Sequence, residues 1–289
     1  MTPLRAAALD RLPALRDSHP AVFRQVTTSR ATVLGVVLCG TLLLAFGIWR
    51  LDIEPARLAT GFGRMLHFLA LMLPPDPGSA ANLAGILRAL AETLAIAFLG
   101  TFGAALIALP VSFLAARNAT LHGLVRFAAR RVLDGIRGVD ALIWALIWVG
   151  IVGLGPFAGV LAILTSDIGT FGKVFSEAIE AADRKPQEGV VAAGGGGLTR
   201  LRFGVLPEVL PVLAGQVLYF FESNVRSSTI IGIVGAGGIG LQLAEMIRTL
   251  EWPVVSFIIL LILAMVAVID LVSGRLRRQL MGRRGRLDG

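Results

Sequence analysis

Charge is what this sequence has least of. Asp, Glu, Lys and Arg make up 16% of 289 residues, against 55% hydrophobic residues and a mean hydropathy of +0.78. A soluble core of this size cannot bury so much apolar surface behind so few charged groups, which argues against a large soluble enzyme. Cysteine is nearly absent. The one present, Cys39, lies inside an apolar run, so neither a disulfide framework nor a cysteine-based metal site can form within one chain. The three histidines, His19, His67 and His122, lie far apart and show no metal-ligand spacing. Acidic residues number 19 against 27 basic ones, for a net charge of +8. The bases, mostly arginine, sit in short segments between apolar runs, which is a membrane-topology pattern and gives no reason to expect a nucleic-acid partner. A cleavable secretory signal is missing too. Arg5, Arg11, Arg16, Arg24 and Arg30 precede the first apolar run, which lasts about a full span, whereas a cleavable signal has a short basic start and a shorter core.

What is present is a series of runs sized for a bilayer. A spanning helix needs about 20 mostly apolar residues. Ala31–Trp49, Thr93–Leu114 and Val254–Ile269 with its flanks fit, as does Leu206–Phe221 despite Glu208 and Gln216. Ala141–Leu164 is a 24-residue run without charge, interrupted by Gly153-Leu-Gly-Pro156. It reads as one long helix, or as part of two short ones joined by a Gly-Pro turn. Charge placement separates the two. With two helices, both termini and the loops near 116–138 and 173–206 share a side that holds 21 of the 27 Lys and Arg residues. With one helix, the counts become 12 on that side and 15 on the other. The positive-inside bias selects two. The expectation is an all-α membrane protein of six transmembrane helices with both termini cytoplasmic.

The chain then divides into a cytoplasmic segment 1–30, a first helix and outer loop 31–92, a core 93–273 and a basic cytoplasmic tail 274–289. In the outer loop, Phe62–Leu73 is too short to cross and ends in Pro74-Pro75-Asp76-Pro77-Gly78. It reads as an interfacial helix or a partner-facing surface. The bases from Arg275 to Arg286 read as an anchor at the anionic inner leaflet.

The cytoplasmic segment 177–206 carries the most information. Ser176-Glu177-Ala-Ile-Glu-Ala-Ala is a good helix former. Pro186 and the glycines at 194–197 then break the chain into short helices around a sharp bend. A short helix held out from the membrane suits docking into a groove on a soluble partner. No phosphate-binding loop is found: Gly172-Lys173 is followed by Val174, and Asp167 stands where the first glycine is needed. Gly235-Ala-Gly237-Gly-Ile-Gly240 matches G-x-G-x-x-G, but a membrane span follows it in place of a second strand and its acid. Those glycines read instead as a tight break with close backbone packing between helices on the outer side.

These segments resemble ABC importer permeases, which carry a cytoplasmic motif of E-A-A, three residues, G, nine residues, I, one residue and L-P. Glu188, Gly194, Leu206 and Pro207 occupy the Glu, Gly, Leu and Pro positions at that spacing, while Gly189 and Val190 replace the two alanines and Gly204 the isoleucine. The stretch from Phe221-Glu-Ser-Asn-Val-Arg226 to Gly240 resembles the late segment of the phosphonate branch, and Val152–Gly159 and Ser176–Glu180 are similar to it as well. The resemblance runs over roughly 85–273. It implies the type I ABC importer permease architecture in the bacterial inner membrane. Residues Glu188, Gly189, Ala192, Ala193, Gly194, Leu206 and Pro207 would couple to the ATPase subunits. A second permease subunit, identical or related, would complete the pathway, and an extracytoplasmic binding protein would deliver substrate. The chain itself would bind no cofactor, with ATP and Mg held by the partner ATPase. The implied cargo is a phosphonate, phosphate, phosphite or related oxyanion, and the alternative is methionine or another small solute. A stand-alone secondary transporter would leave segment 177–206 without a role, and no nucleophile pair or acid cluster suggests a membrane enzyme.

Ionisable groups at membrane depth are costly and point to function. Asp140, Glu208 and Glu222 sit near span ends, where water reaches, and Glu222 is also a candidate translocation-pathway group. Asp167, within the fourth span, reads either as a pathway group or as a helix-pairing one. Arg226, with Ser227, Ser228 and Thr229 beside it and Asn224 before it, offers charge-assisted donors to an oxyanion. Its alternative is a salt bridge to Glu222 one turn earlier.

Overall fold

The computed structural model describes residues 30–51, 55–120 and 122–282, and all regular structure among them is helical. The expectations for 1–29 and for the last bases of the tail, 283–289, fall outside those residues. The chain separates into two compact units, Met1–His67 and Phe68–Gly289.

The first unit contains α1, Arg30–Arg50, and most of α2, Pro55–Leu71. Helix α1 is apolar on every side, with Leu34, Val36 and Leu43 each more than 65% exposed, a surface suited to lipid. Helix α2 is amphipathic and takes in most of the stretch 62–73.

The second unit is a bundle. Helix α3 (Ala80–Ala115) begins well before the apolar run at Thr93, because Ser79 caps it by accepting from the Asn82 N–H. Helix α4 (Gly123–Arg137) is basic and amphipathic, and it meets α5 (Ala141–Val152) at 86°. Helix α6 is Pro156–Glu180, α7 is Arg184–Ala192 and α8 is Gly197–Arg200. A π-helical turn at Leu201–Val205 leads into α9, Leu206–Ile233, followed by α10 (Gly238–Arg248) and α11 (Trp252–Gly282). Among the described residues five helical stretches, α8 through α9 counting as one, are each long and apolar enough to cross a membrane, and the bent pair α4–α5 brings the number to six if it is one span. The uncharged run 141–164 is thus two helices joined at Gly153 and Gly155, whose φ angles of +90° and +137° strongly favour glycine. Helix α5 spans only about 18 Å, less than the roughly 30 Å of hydrocarbon, and the 86° bend ahead of it is that of a broken span or a re-entrant loop.

Helices α3 and α6 share the largest interface in the bundle. Small residues allow it: a Cβ at Gly100 would lie 2.7 Å from the Ile163 side chain, and Ala104 and Ala108 are fully buried. Helix α4 seats Leu133 over Gly172, and its end over Gly169. One end of the bundle carries the glycine turns 153–155 and 235–238. The opposite end carries most of the bases of α4, α7 and α8 and the last turns of α11.

Candidate functional site

At the basic end, α6 stops at Glu180 and the chain turns into α7. Asp183 caps α7 by accepting from the Lys185 N–H at 3.1 Å. Pro186, expected to break the chain, instead sits inside the first turn of α7, where an N–H has no helical partner to lose. The helix ends in a two-bond cap. Gly194 has φ +82°, its N–H donates to Val191 O, and the Gly195 N–H donates to Val190 O, both at 2.9 Å. That is why glycine occupies this motif position. The remaining glycines then give way to α8 and the π-helical turn, in which Leu206 N–H reaches Leu201 O. Pro207 lies in the first turn of α9.

Helix α7 folds back onto this turn. A Cβ at Gly204 would lie 2.9 Å from Gln187 Cα, so the glycine that replaces the motif's isoleucine admits close backbone packing. Glu208, on the first turn of α9, accepts from the Asp183 N–H with both carboxylate oxygens at 3.0 Å. On the other side, Glu180 accepts from the Arg117 N–H at 2.6 Å and from Arg130 Nη2 at 2.7 Å. Arg200 Nη2 donates to Asn118 O, and Asn118 Nδ2 donates to Ile179 O. The segment is therefore tied to the ends of α3, α6 and α9 and to the middle of α4. Glu188, Gly189, Ala192, Ala193 and Gly194 all lie on its exposed surface, Pro207 is exposed beside them and Leu206 is half-buried. Val191 is 53%, Phe203 59% and Leu198 83% exposed. An apolar patch on an otherwise polar end suits a protein partner.

Within the bundle, Asn224 of α9 joins three helices. Its Nδ2 donates to Thr101 Oγ1 on α3 at 2.8 Å and to Asp167 Oδ2 on α6 at 2.5 Å, and both Asn224 and Asp167 are buried. Asp167 in this geometry pairs helices. Ser228 and Thr229 turn inward as well and donate to the carbonyls of Asn224 and Val225 in their own helix. The row Arg226-Ser227-Ser228-Thr229 therefore does not converge on one point, since successive helical residues are about 100° apart. Arg226 is exposed, and Ser227 is half-buried.

The expected bridge between Arg226 and Glu222 is absent. Glu222 is held by Arg277 of α11 at 2.8 Å, and Arg226 stands 3.6 Å from Asp270 of the same helix. A same-helix spacing of four residues loses here to partners on a packed neighbour. Asp140 caps α5 through the Leu142 N–H at 2.8 Å. Sequence reasoning missed Thr101, Arg277 and Asp270. It missed Thr93 as well, which accepts from the Ile239 N–H at 2.7 Å. Both threonines are lone hydroxyls inside apolar runs, and Asp270 and Arg277 read from sequence only as a span end and a tail.

The glycine end closes on itself. Gly155 N–H donates to Gly235 O at 2.9 Å, and a Cβ at Gly237 would lie 2.6 Å from the Pro156 nitrogen. Ile230–Ile233 is helical, so Gly235–Gly240 joins two helices and follows no strand.

The fold is a multi-spanning helical bundle with an exposed, partly apolar segment braced to several of its helices at one end. Residues 108–284 match the family described as binding-protein-dependent transport system inner membrane component, and the chain belongs to that family. It is 40% identical to the phosphite transport system permease protein PtxC of Stutzerimonas stutzeri, over 86% of this chain and 87% of that one. It is 38% identical to the phosphate-import permease protein PhnE of Mycolicibacterium smegmatis, over 86% of this chain and 46% of that longer one. Among solved structures, the inward-facing MetNI methionine ABC transporter shares the fold, with a TM-score of 0.60 at 22% identity, covering 70% of this chain and 99% of that one. An amino acid ABC transporter crystallised with histidines aligns with a TM-score of 0.56 at 18% identity, over 77% and 98%. The architecture is that of type I ABC importer permeases.

Proposed function

We propose that the chain is the permease subunit of an ATP-driven importer for phosphite-, phosphonate- or phosphate-type oxyanions. The observation that carries the substrate class is the 40% identity to a phosphite permease along nearly the whole of both chains. The methionine alternative rests on a shared fold at 22% identity, which carries no substrate.

In this reading the basic end faces the cytoplasm, so both termini lie there and the glycine end faces outward. ATPase subunits, holding ATP and Mg, dock on α7 and the exposed Val191, Leu198 and Phe203. This chain binds no cofactor. A second permease copy, or a related chain, completes the pathway, and an extracytoplasmic binding protein delivers the anion. Closure of the ATPase pair moves α7. Glu208 and the close contact at Gly204 pass that motion to α9, while Glu180 and Asn118 pass it to α3 and α4. The bundle then alternates between inward and outward access without covalent chemistry in this chain.

The test is uptake of radiolabelled phosphate into vesicles holding this chain with its co-encoded ATPase and binding protein. Competition by unlabelled phosphite or phosphonate, but not methionine, is the expected outcome. ATP-dependent uptake of methionine in place of phosphate would overturn the substrate class and leave the importer class standing.

A further inference from the structure

Two ion pairs join α9 to α11, and they are built differently. Glu222 and Arg277 meet at 2.8 Å with side chains only 14% and 25% exposed, and the Arg277 guanidinium also lies 5.7 Å over the Tyr219 ring. Arg226 and Asp270 stand at 3.6 Å with side chains 48% and 43% exposed, too far apart for a hydrogen bond. Asp270 Oδ1, itself shut off from solvent, accepts no hydrogen bond at all. The first pair is a finished clamp. The second holds charge against charge and leaves the guanidinium's donors open.

Its depth makes the exposure informative. Arg226 lies about two turns, roughly 10 Å, from the end of α9 at Ile233. Its neighbour Val225 is buried against Ala97 and Met265, and Asn224 reaches Thr101 and Asp167. Arg226 therefore sits at bilayer depth. A half-exposed guanidinium there cannot face hydrocarbon without a large cost, so a water-filled path or the second permease subunit must cover this side of α9. Val212, Tyr219, Arg226, Ile230 and Ile233 are exposed along that side.

We propose that Asp270 is the internal counter-anion of Arg226, which an oxyanion substrate displaces as it passes and which reclaims the arginine when the anion leaves. The inference rests on the oxyanion reading above. A guanidinium offers planar paired donors that match two oxygens of a phosphorus oxyanion. With Asp270 in place the positive charge is balanced, so an empty pathway is no sink for anions. Exchange of one carboxylate for one oxyanion keeps that balance, and the loose 3.6 Å contact is the partner that gives way. Glu222–Arg277 holds the two helices together meanwhile.

The experiment uses the reconstituted complex and radiolabelled phosphate. Asp270→Asn leaves Arg226 without its counter-anion, and the expected result is a KM for phosphate several-fold lower with kcat also lower, because release slows. The double variant Arg226→Leu with Asp270→Leu removes both charges and leaves no orphan. It should assemble normally with the ATPase subunit and lose at least about tenfold in uptake, since a purely structural pair tolerates such replacement. Unchanged KM and kcat in Asp270→Asn, or full uptake by the double variant, would overturn the proposal. Failure of the double variant to assemble, together with wild-type kinetics in Asp270→Asn, would equally assign the pair to structure. Absence of ATP-dependent uptake of phosphate, phosphite and phosphonate alike by the unsubstituted complex would overturn the oxyanion reading itself, and this inference with it, before any variant is compared.

Discussion

The two ends of α9 both depend on glycine, and in opposite ways. At the glycine end, side-chain-free positions let backbone lie on backbone: Gly232 faces the Gly237 carbonyl and Gly240 Cα, and Gly240 faces the Thr229 carbonyl. At the basic end, Gly194, Gly196 and Gly197 have no neighbouring atom within 4 Å of a built Cβ. The first set is packing. The second is mostly conformation and clearance, which leaves α7 standing away from the bundle on defined attachments. In the proposed mechanism, one end of the helix is a fixed point and the other a lever whose contacts are few and nameable. A transport subunit driven from one side needs that asymmetry, because motion applied at the lever must find something that does not yield.

Gly240→Val tests the fixed point and should have the largest effect. Any Cβ at this position collides with the Thr229 carbonyl oxygen, and backbone cannot move aside as a flexible side chain can. Overpacking of this kind costs about 3 kcal/mol, the upper part of its usual range. The expected outcome is little folded protein in the membrane fraction, measured as the amount extracted in monodisperse form. Normal accumulation with an unchanged Tm would mean that this end is pliable, and the contrast with the basic end would fall.

Gly204→Ile tests the lever from the opposite direction, since it restores the residue found in the motif of related permeases. Here it should do harm. With Gln187 Cα only 2.9 Å from a Cβ, α7 must swing off the π-helical turn to admit a branched side chain. The bundle itself is untouched, so insertion and extraction should be normal while transport-coupled ATPase activity falls about tenfold, equivalent to about 1.4 kcal/mol. Wild-type coupling in this variant would show that α7 does not rely on close contact with Gly204.

Much of this contrast was legible in the sequence, and the reasons differ by element. Spans were legible because bilayer thickness fixes run length, and the split of 141–164 because arginine placement is asymmetric. The helix stop at Gly194 and the helix-to-helix turn at 235–240 were legible because glycine in those patterns has few other uses. Pro186 misled because proline breaks helices only beyond the first turn, and the boundary at Asp183 decides which case applies. Of the two readings of Arg226, the Glu222 bridge fails because its spacing is a local rule, whereas Arg277 and Asp270 come from a helix about fifty residues later in the chain. Thr93 and Thr101 were invisible among apolar neighbours. Their value lies in partners more than a hundred residues away, Ile239 and Asn224. Tertiary hydrogen bonds leave no period in the sequence, and the interior of the site is made of them.

Glu208→Gln sharpens the account of how the lever is attached. The carboxylate receives the Asp183 N–H at the start of α7 with both oxygens. The amide keeps one acceptor and loses the charge, so the attachment weakens by about 1 kcal/mol, the difference between a charge-assisted and a neutral hydrogen bond. Limited proteolysis within 181–197 should then run about fivefold faster while the rest of the bundle resists cleavage. Equal rates in the two proteins would place the main attachment at Gly204 or Arg200 instead.

The smallest expected effect is at Gly197, the last of the four consecutive glycines. Gly194 needs its φ of +82°, and a Cβ at Gly195 would lie 2.6 Å from the Val190 side chain. Gly197 has neither constraint: its Cβ position is open, its φ is not in the left-handed region, and it is the first residue of α8. Alanine is the better helix former by about 1 kcal/mol at an interior position, and by less at a terminus. Gly197→Ala should therefore leave proteolysis, coupling and uptake within error of the unsubstituted protein, or slightly stabilise the segment. A clear loss of coupled ATPase activity without loss of segment stability would have one reading, that a partner surface approaches the backbone at 197 too closely for a methyl group. The glycine at this position would then be a contact of the assembled transporter, and the clearance seen at the lever would be space reserved for the ATPase.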